Sequence, residues 1–184
     1  MTSARDSKAT NSLPTTGNNP APGHSPTSTE AALSHQPPPS MLLLGGAVGV
    51  HIGGTACRAA AGFGVGQIWR GVLPPGGVES VCDEIVAAVR RVEPAPKLVA
   101  IGSPGHVASR RGTVTGAANL GPEWTAEVPL RELLEERLQC EVAVQNDAEV
   151  ALEAEKRHGG LVAVNDGALI TLSTGVGVAL LVNS

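Results

Sequence analysis

From residue 42 onwards the sequence alternates between short apolar runs and amphipathic stretches, a pattern that predicts an α/β domain. The apolar run over residues 42–52 is bounded by glycines and is long enough for a central strand. Two further runs, 56–61 and 67–73, follow with glycines between them. Strands joined by a glycine-rich turn form a hairpin, so the first three strands should be antiparallel. Residues 98–101 predict a fourth, short buried strand.

The clearest helix is predicted over residues 78–92, where apolar side chains recur at helical spacing. Acidic residues come early in this segment and Arg90 and Arg91 come late, which is the order that the helix dipole favours. A second helix is predicted to begin with Pro129 at its first position. A third is predicted from Asp147 to His158, with two glycines as its stop.

Composition excludes several classes of function. Residues 1–40 hold seven of the chain's fourteen prolines and no aromatic residue, which predicts a disordered leader. The formal net charge is −4 and there is no Lys/Arg run, so nucleic acid is not an expected partner. The leader lacks the apolar core of a signal peptide, and the longest apolar stretch is roughly half a membrane span, so no membrane anchor is expected. Three widely spaced cysteines argue against a disulfide scaffold or structural zinc and fit a reducing cytoplasm.

Two glycine-containing turns are candidates for phosphate binding. Residues 50–55 form a turn between two predicted strands, and residues 172–177 form a similar turn in a predicted hairpin of 169–172 and 177–182. Glycines let the backbone approach a bulky anion, and backbone amides and the Thr55 hydroxyl can donate to phosphate. Each turn alone is a weak signal, because glycine turns between strands are common. Together they suggest a nucleotide held from two sides.

A carboxylate stands where the predicted strand 141–145 gives way to the third helix. Asp147 there could accept the proton of a sugar hydroxyl during phosphoryl transfer. Alternatively, Asp147 or Asn146 only caps the helix, which is the more common use of these residues at such a junction. Spacing alone leaves both interpretations open.

Five segments, in order over roughly residues 47–182, resemble motifs of the ROK family (repressor, open reading frame, kinase). They are Gly49-Val50-His51-Ile52-Gly53-Gly54-Thr55, similar to the first phosphate motif; Ala100 to Gly105, similar to the Gly-x-Pro-Gly turn; Gly112-Thr113-Val114 with Ala118-Asn119-Leu120 and Trp124, similar to the sugar-contacting stretch; Gln145-Asn146-Asp147-Ala148, similar to the catalytic Glu-Asn-Asp-Ala box; and Leu172 to Gly177, similar to the second phosphate motif. An ordered set of five is far more specific than any one motif.

The resemblance implies an actin-like, hexokinase-like fold, in which two lobes of the ribonuclease H type hold the substrates in a cleft. Residues 41–165 would then form the N-terminal ATPase lobe, behind the 1–40 leader. Residues 166–184 would form the first hairpin of an incomplete second lobe, so the sequence is expected to be truncated relative to the family.

The resemblance also implies an ATP-dependent kinase that phosphorylates a hexose, foremost glucose to glucose 6-phosphate, with Mg²⁺ beside the nucleotide. Asp147 would be the catalytic base. Sugar would be bound by Gly105, Asn119, Asn146 and Asp147, and the nucleotide by His51, Gly53, Gly54, Thr55, Thr174 and Gly175. No side chain is assigned as a metal ligand. The hexose, the choice between ATP and polyphosphate, a homo-oligomeric state, and whether the truncated chain with His51 is active or impaired are left open.

One departure from the family pattern bears on function. His51 stands where the family has Asp, and Mg²⁺ prefers hard oxygen ligands. A catalytically inactive sugar-binding or partner module is therefore a second hypothesis. A transcriptional repressor of the same family is a third, although residues 1–40 are too short and too proline-rich for a winged helix-turn-helix.

Overall fold

The computed structural model describes residues 45–62, 68–74 and 76–183, so the predicted leader over residues 1–40 lies outside the described residues. Strands and helices alternate in these residues, as the pattern predicts. In chain order they are β1 (Ala47–Ile52), β2 (Ala56–Ala61), β3 (Ile68–Val72), α1 (Val78–Val92), β4 (Leu98–Ser103), β5 (His106–Ala108), β6 (Thr113–Thr115), α2 (Leu130–Leu138), β7 (Glu141–Asn146), α3 (Asp147–His158), β8 (Gly167–Leu172) and β9 (Val176–Leu181).

Five of these strands form one mixed sheet in the order β3-β2-β1-β4-β7. β2 is antiparallel to both β1 and β3, which confirms the predicted antiparallel arrangement of the first three strands. β4 and β7 run parallel to β1, and the register places His51 beside Gly102 and Gly102 beside Gln145. The carboxyl ends of β1, β4 and β7 therefore lie at the same edge of the sheet.

Helices α1 and α2 cover one face of this sheet and enclose the main core. Strand residues alternate between the two faces, so the apolar residues at every second position meet the helices. The fully buried members of this core include Ile52, Ile85, Ile101, Leu130 and Leu134. Trp124 is also fully buried, although its segment resembles a sugar-contacting stretch, and its ring therefore contributes to the core.

The opposite face of the sheet is largely open. Small residues such as Gly49, Ala100 and Ala143 line a cavity of about 640 Å³ on this face. Helix α3 begins at its edge, where Val150 forms part of the cavity wall.

Strands β8 and β9 form a separate two-stranded hairpin, with Leu172 opposite Val176 across the turn. One face packs on α3 and encloses a small second core that includes Ala148 and Leu152. The other face is apolar and exposed, and it consists of Ala168, Ile170, Leu172, Val176, Val178 and Leu180. Among the described residues, no helix is long and apolar enough to cross a membrane.

Helices α1 and α3 have the bounds that the sequence predicts, but α2 and some strands do not. β1 begins at Ala47, directly after Gly46, whose φ of 89° places it in a turn. Pro129 precedes α2 as its cap residue, so it is not the first helical position. The short β5–β6 hairpin and the 3₁₀ turns Ala118–Leu120 and Pro122–Thr125 were not predicted, because such short elements carry no periodicity.

Candidate active site

Three segments that the sequence singled out lie at the carboxyl edge of the parallel strands. The turn 53–55 follows β1, the turn 104–105 follows β4, and Asp147 follows β7. Ligands in open α/β sheets bind outside this edge, because the strand ends leave backbone groups and loops there. The sheet topology therefore brings the predicted nucleotide turn, sugar turn and base to one side of the molecule.

Gly54 is the point where three predicted site segments meet. The turn is closed by Gly53 N–H, which donates to the carbonyl of Ala56 at 2.8 Å. A methyl group at Gly54 would lie 3.2 Å from Asn119 Nδ2 and 3.4 Å from Thr174 Cγ2. The absence of a side chain at Gly54 thus keeps a narrow space between the first turn, the Asn119 segment and the β8–β9 turn.

The tip of the β8–β9 turn has room around it. A methyl group at Gly175 would meet no atom within 4 Å, and Thr174 and Thr55 are both exposed. Backbone and hydroxyl donors that face open space beside a glycine are suited to a phosphate chain.

Asn146 is the residue that fixes the start of α3. Its side-chain oxygen accepts hydrogen bonds from the backbone N–H groups of Ala148 and Glu149, at 3.0 and 3.2 Å. Its Nδ2 donates to the carbonyl of Gly105 at 2.9 Å. Gly105 has a φ of 87°, and a methyl group there would lie 2.7 Å from the carbonyl oxygen of Thr115. Asn146 therefore holds the Gly105 turn and the helix start together.

Asp147 is the first residue of α3 and is half-buried. A methyl group at Gly102 would lie 3.6 Å from its Cα, so this glycine allows the helix to begin directly on the sheet. Asp147 Oδ1 accepts from the N–H of Ala148 at 2.8 Å. Since Asn146 already caps the helix, Asp147 is not needed for that purpose, and its carboxylate lies at the strand edge where a base would act.

His51 lies on the open face of the sheet, opposite Arg58 on β2. Partial burial lowers the pKa of the imidazole below its ordinary value, the carboxylate of Asp147 raises it, and Arg58 lowers it. Burial has the largest effect of the three, so at neutral pH the ring is mainly uncharged. His51 is thus an electrostatic neighbour of Asp147 without being a permanent positive charge.

The described residues do not fit a protein-held magnesium site. No group of three or more His, Cys, Asp or Glu side chains within them is arranged to hold a metal ion. The carboxylate that the family motif would supply is replaced by His51, which offers a nitrogen in place of a hard oxygen.

A cleft of about 670 Å³ opens beside Gly54 and Thr55. Its other wall is the segment from Ala118 to Glu123, which includes Asn119. The size is typical of small-molecule sites. Asp147 is not among the lining residues, so the cleft does not contain the predicted base.

The cysteines do not contribute to this site. All three are free, and Cys57 and Cys82 are buried. Burial, with a smaller contribution from Glu84, raises the pKa of Cys57 to about 12, and burial raises that of Cys82 to about 11. Both thiols therefore stay protonated at neutral pH and are poor nucleophiles.

Comparison with known proteins decides the family. Residues 47–184 match the ROK family, which is three quarters of the chain. The chain belongs to the ROK family. Its mixed α/β fold is the actin-like ATPase fold of ROK kinases.

Among curated ROK relatives, the glucokinase of Streptomyces coelicolor is 34% identical over 145 residues, which are 77% of this chain and 45% of that protein. The xylose repressor of Caldicellulosiruptor bescii is 34% identical over 99 residues, or 52% of this chain and 24% of that protein. A solved ROK glucokinase from Streptomyces griseus, in complex with glucose and AMPPNP, shares 31% identity with a TM-score of 0.66. That match covers 74% of this chain and 44% of the solved one, so this ROK chain spans less than half the length of these relatives.

Sequence reasoning did not single out Ser109 and Arg131, which the structure links to the end of β7. Ser109 Oγ donates to Oε1 of Gln145, and Arg131 donates to the carbonyls of Ser109 and Arg110. One signal was available: Arg131 is a cation in the first turn of a helix, where the helix dipole disfavours positive charge. A cation at such a position indicates that its side chain bonds to groups outside the helix.

Proposed function

We propose that this chain carries the nucleotide turn and the base of an ATP-dependent hexose kinase, with glucose as the foremost substrate. The observation that carries the proposal is the convergence at one sheet edge. Gly54, Asn119 and Thr174 meet there, and Asp147 follows the end of β7, which β4 separates from β1 in the sheet. The glucokinase names of the relatives support the same reaction class.

In this proposal Asp147 accepts the proton of the sugar's primary hydroxyl as that oxygen attacks the terminal phosphoryl group of ATP. The backbone amides of Gly53 and Gly54, with the hydroxyls of Thr55 and Thr174, hold the phosphates. Asn119 donates to sugar hydroxyls from beside Gly54. The protein mainly positions the reactants, since phosphoryl transfer requires little covalent chemistry from it. Magnesium would enter on the nucleotide, and no protein ligand to it is assigned.

The direct test is an assay of ADP release over a panel of hexoses, with sugar phosphate measured in parallel. Asp147→Asn should lower kcat by roughly 10²- to 10⁴-fold, the usual contribution of a general base. Glu149→Gln is the matched control, because it removes one carboxylate two residues further along the same helix and should leave kcat unchanged. Equal activity of the Asp147→Asn variant and the parent would contradict the assignment of the base.

The phosphate turn has a test of its own. His51→Asp restores an anionic oxygen beside the turn, so it should strengthen binding of magnesium-ATP in calorimetric titration. An unchanged or weaker affinity would mean that this turn does not face the nucleotide.

A second candidate is a sugar-binding module without catalysis, which is favoured by His51 and by the lack of a carboxylate cluster among the described residues. Glucose binding detected by calorimetry, with no ADP release at any hexose, would support this candidate over the kinase.

A further inference from the structure

Arg131 clamps the turn that joins β5 to β6. Its Nη1 donates to the carbonyl of Arg110 at 3.0 Å and its Nη2 to the carbonyl of Ser109. Its backbone N–H donates to the carbonyl of Gly112, also at 3.0 Å. Gly112 has a φ of 71°, and a methyl group there would overlap Arg131 Cβ. Three hydrogen bonds therefore join the β5–β6 turn to the first residues of α2, and the lack of a side chain at Gly112 lets the two segments approach closely.

The planar guanidinium is what this clamp requires. Two N–H groups in a fixed fork reach two successive carbonyls, which a lysine ammonium does not match in geometry. Arg131 Nε is buried without a hydrogen-bond partner in the described part of the chain. Burying an unpaired donor costs free energy.

The clamped turn is connected to the segment that holds Asp147. The hydroxyl of Ser109 donates to Oε1 of Gln145, which is the penultimate residue of β7. Asn146 Nδ2 donates to the carbonyl of Gly105, which precedes β5, whereas Ser109 follows β5. Gln145 and Asn146 are thus hydrogen-bonded to Ser109 and Gly105, respectively, which lie on either side of β5.

We propose that Arg131 and Ser109 are positioning residues for Asp147: the Arg131 clamp orients the Ser109 hydroxyl, and Ser109 fixes Gln145 and with it the start of α3. The proposal rests on the proposed function only for its catalytic consequence. Neither side chain touches the substrate. The placement of the α3 start by these two residues is a property of the protein itself and can be measured without turnover.

Amide hydrogen exchange at Ala148 and Glu149 reports that placement, because both N–H groups donate to the Asn146 cap. Ser109→Ala should speed exchange at these two amides by roughly five- to tenfold, the effect of one lost hydrogen bond. Exchange in the core strand β4, at Ile101, should stay unchanged. Ser109→Thr keeps the hydroxyl and should restore slow exchange. A uniform rise at all amides, or no rise at Ala148 and Glu149, would overturn the proposal.

Arg131→Lys keeps the charge and loses the fork, so it should reproduce the Ser109→Ala pattern. Arg90→Met is the control, since Arg90 also donates to a carbonyl, that of Arg137 at 2.9 Å, away from the strand edge. It should leave Ala148 and Glu149 unchanged. If Arg131→Lys behaves as Arg90→Met does, the clamp does not reach the site.

If the chain phosphorylates a hexose, Ser109→Ala should lower kcat and leave the KM for ATP unchanged, since the base moves and the phosphate turn does not. If exchange at Ala148 and Glu149 changes but kcat does not, Ser109 positions the start of α3 and Asp147 is not the catalytic base. That result would count against the proposed function and not against the positioning of the helix start.

Discussion

The five-stranded sheet and the β8–β9 hairpin are built from the same kind of apolar, β-branched sequence, yet they differ sharply in how well they are covered. Leu134, on a helix over the sheet, is fully buried, whereas Leu172 on the hairpin is 78% exposed. The sheet has two helices across one face, and the hairpin has only α3. A two-stranded unit encloses little by itself. Stability should therefore reside in the sheet, while the hairpin that carries Thr174 is weakly packed.

The largest expected effect compares one substitution in the two regions. Leu134→Ala should lower the free energy of unfolding by about 2–5 kcal/mol, because it leaves a cavity in the main core. Leu172→Ala should change it by less than about 0.5 kcal/mol, as exposed substitutions usually do. Denaturant titration measures both. A comparable loss in Leu172→Ala would show that the exposed hairpin face is covered in solution.

A second prediction concerns the space where the two regions meet. Gly54→Ala places a methyl group 3.2 Å from Asn119 and 3.4 Å from Thr174, so it should narrow the phosphate turn. We expect a roughly tenfold weaker affinity for ATP, the equivalent of about 1.4 kcal/mol. Gly49→Ala is the control, since a methyl group there meets no atom within 4 Å. Equal ATP affinity in the two variants would place the nucleotide elsewhere.

Helix α3 packs against both regions, and Asn146 begins it. Asn146→Ala should cost about 1 kcal/mol of unfolding free energy, the usual contribution of a helix cap. Asn146→Asp keeps the capping oxygen but loses the Nδ2 donor to Gly105, so it should cost less. Thermal or denaturant unfolding of the two variants checks the order. If Asn146→Asp is the less stable, the contact with Gly105 matters more than the cap.

The smallest expected effect is a dependence on pH. Because the folded-state pKa of His51 is lowered, the unfolded chain binds this proton more readily than the folded one. The contribution of His51 to stability is therefore complete above about pH 6.5 and declines as pH falls through the lowered folded value. His51→Gln should reduce the difference in denaturation midpoint between pH 7.5 and pH 5.5. If the difference in denaturation midpoint stays the same, groups other than His51 cause it.

The helices and the helix cap could be predicted from sequence because their signals are local. The apolar spacing of 78–92 defines α1 from end to end, and the change from strand to helix at Asn146 is visible in the residues themselves. The link from Arg131 through Ser109 to Gln145 could not be predicted, since it joins side chains up to 36 residues apart through an irregular turn. Nor could the buried position of Trp124, which its motif resemblance places among sugar-contacting residues.

The order of strands in the sheet also has a consequence for how the chain acquires its site. β1, β2 and β3 pair with their neighbours in sequence, so they can associate early. β4 can pair with β1 only after the intervening α1 has been made. β7 pairs with β4, for example Leu98 with Glu141, across a long connecting segment, and closing this loop costs entropy. Asp147 follows the last of the five sheet strands in chain order, and Thr174 comes later still. During synthesis, therefore, the turn 53–55 emerges before Asp147 and the β8–β9 turn with Thr174 emerges after it, so the residues proposed to hold the nucleotide are completed last.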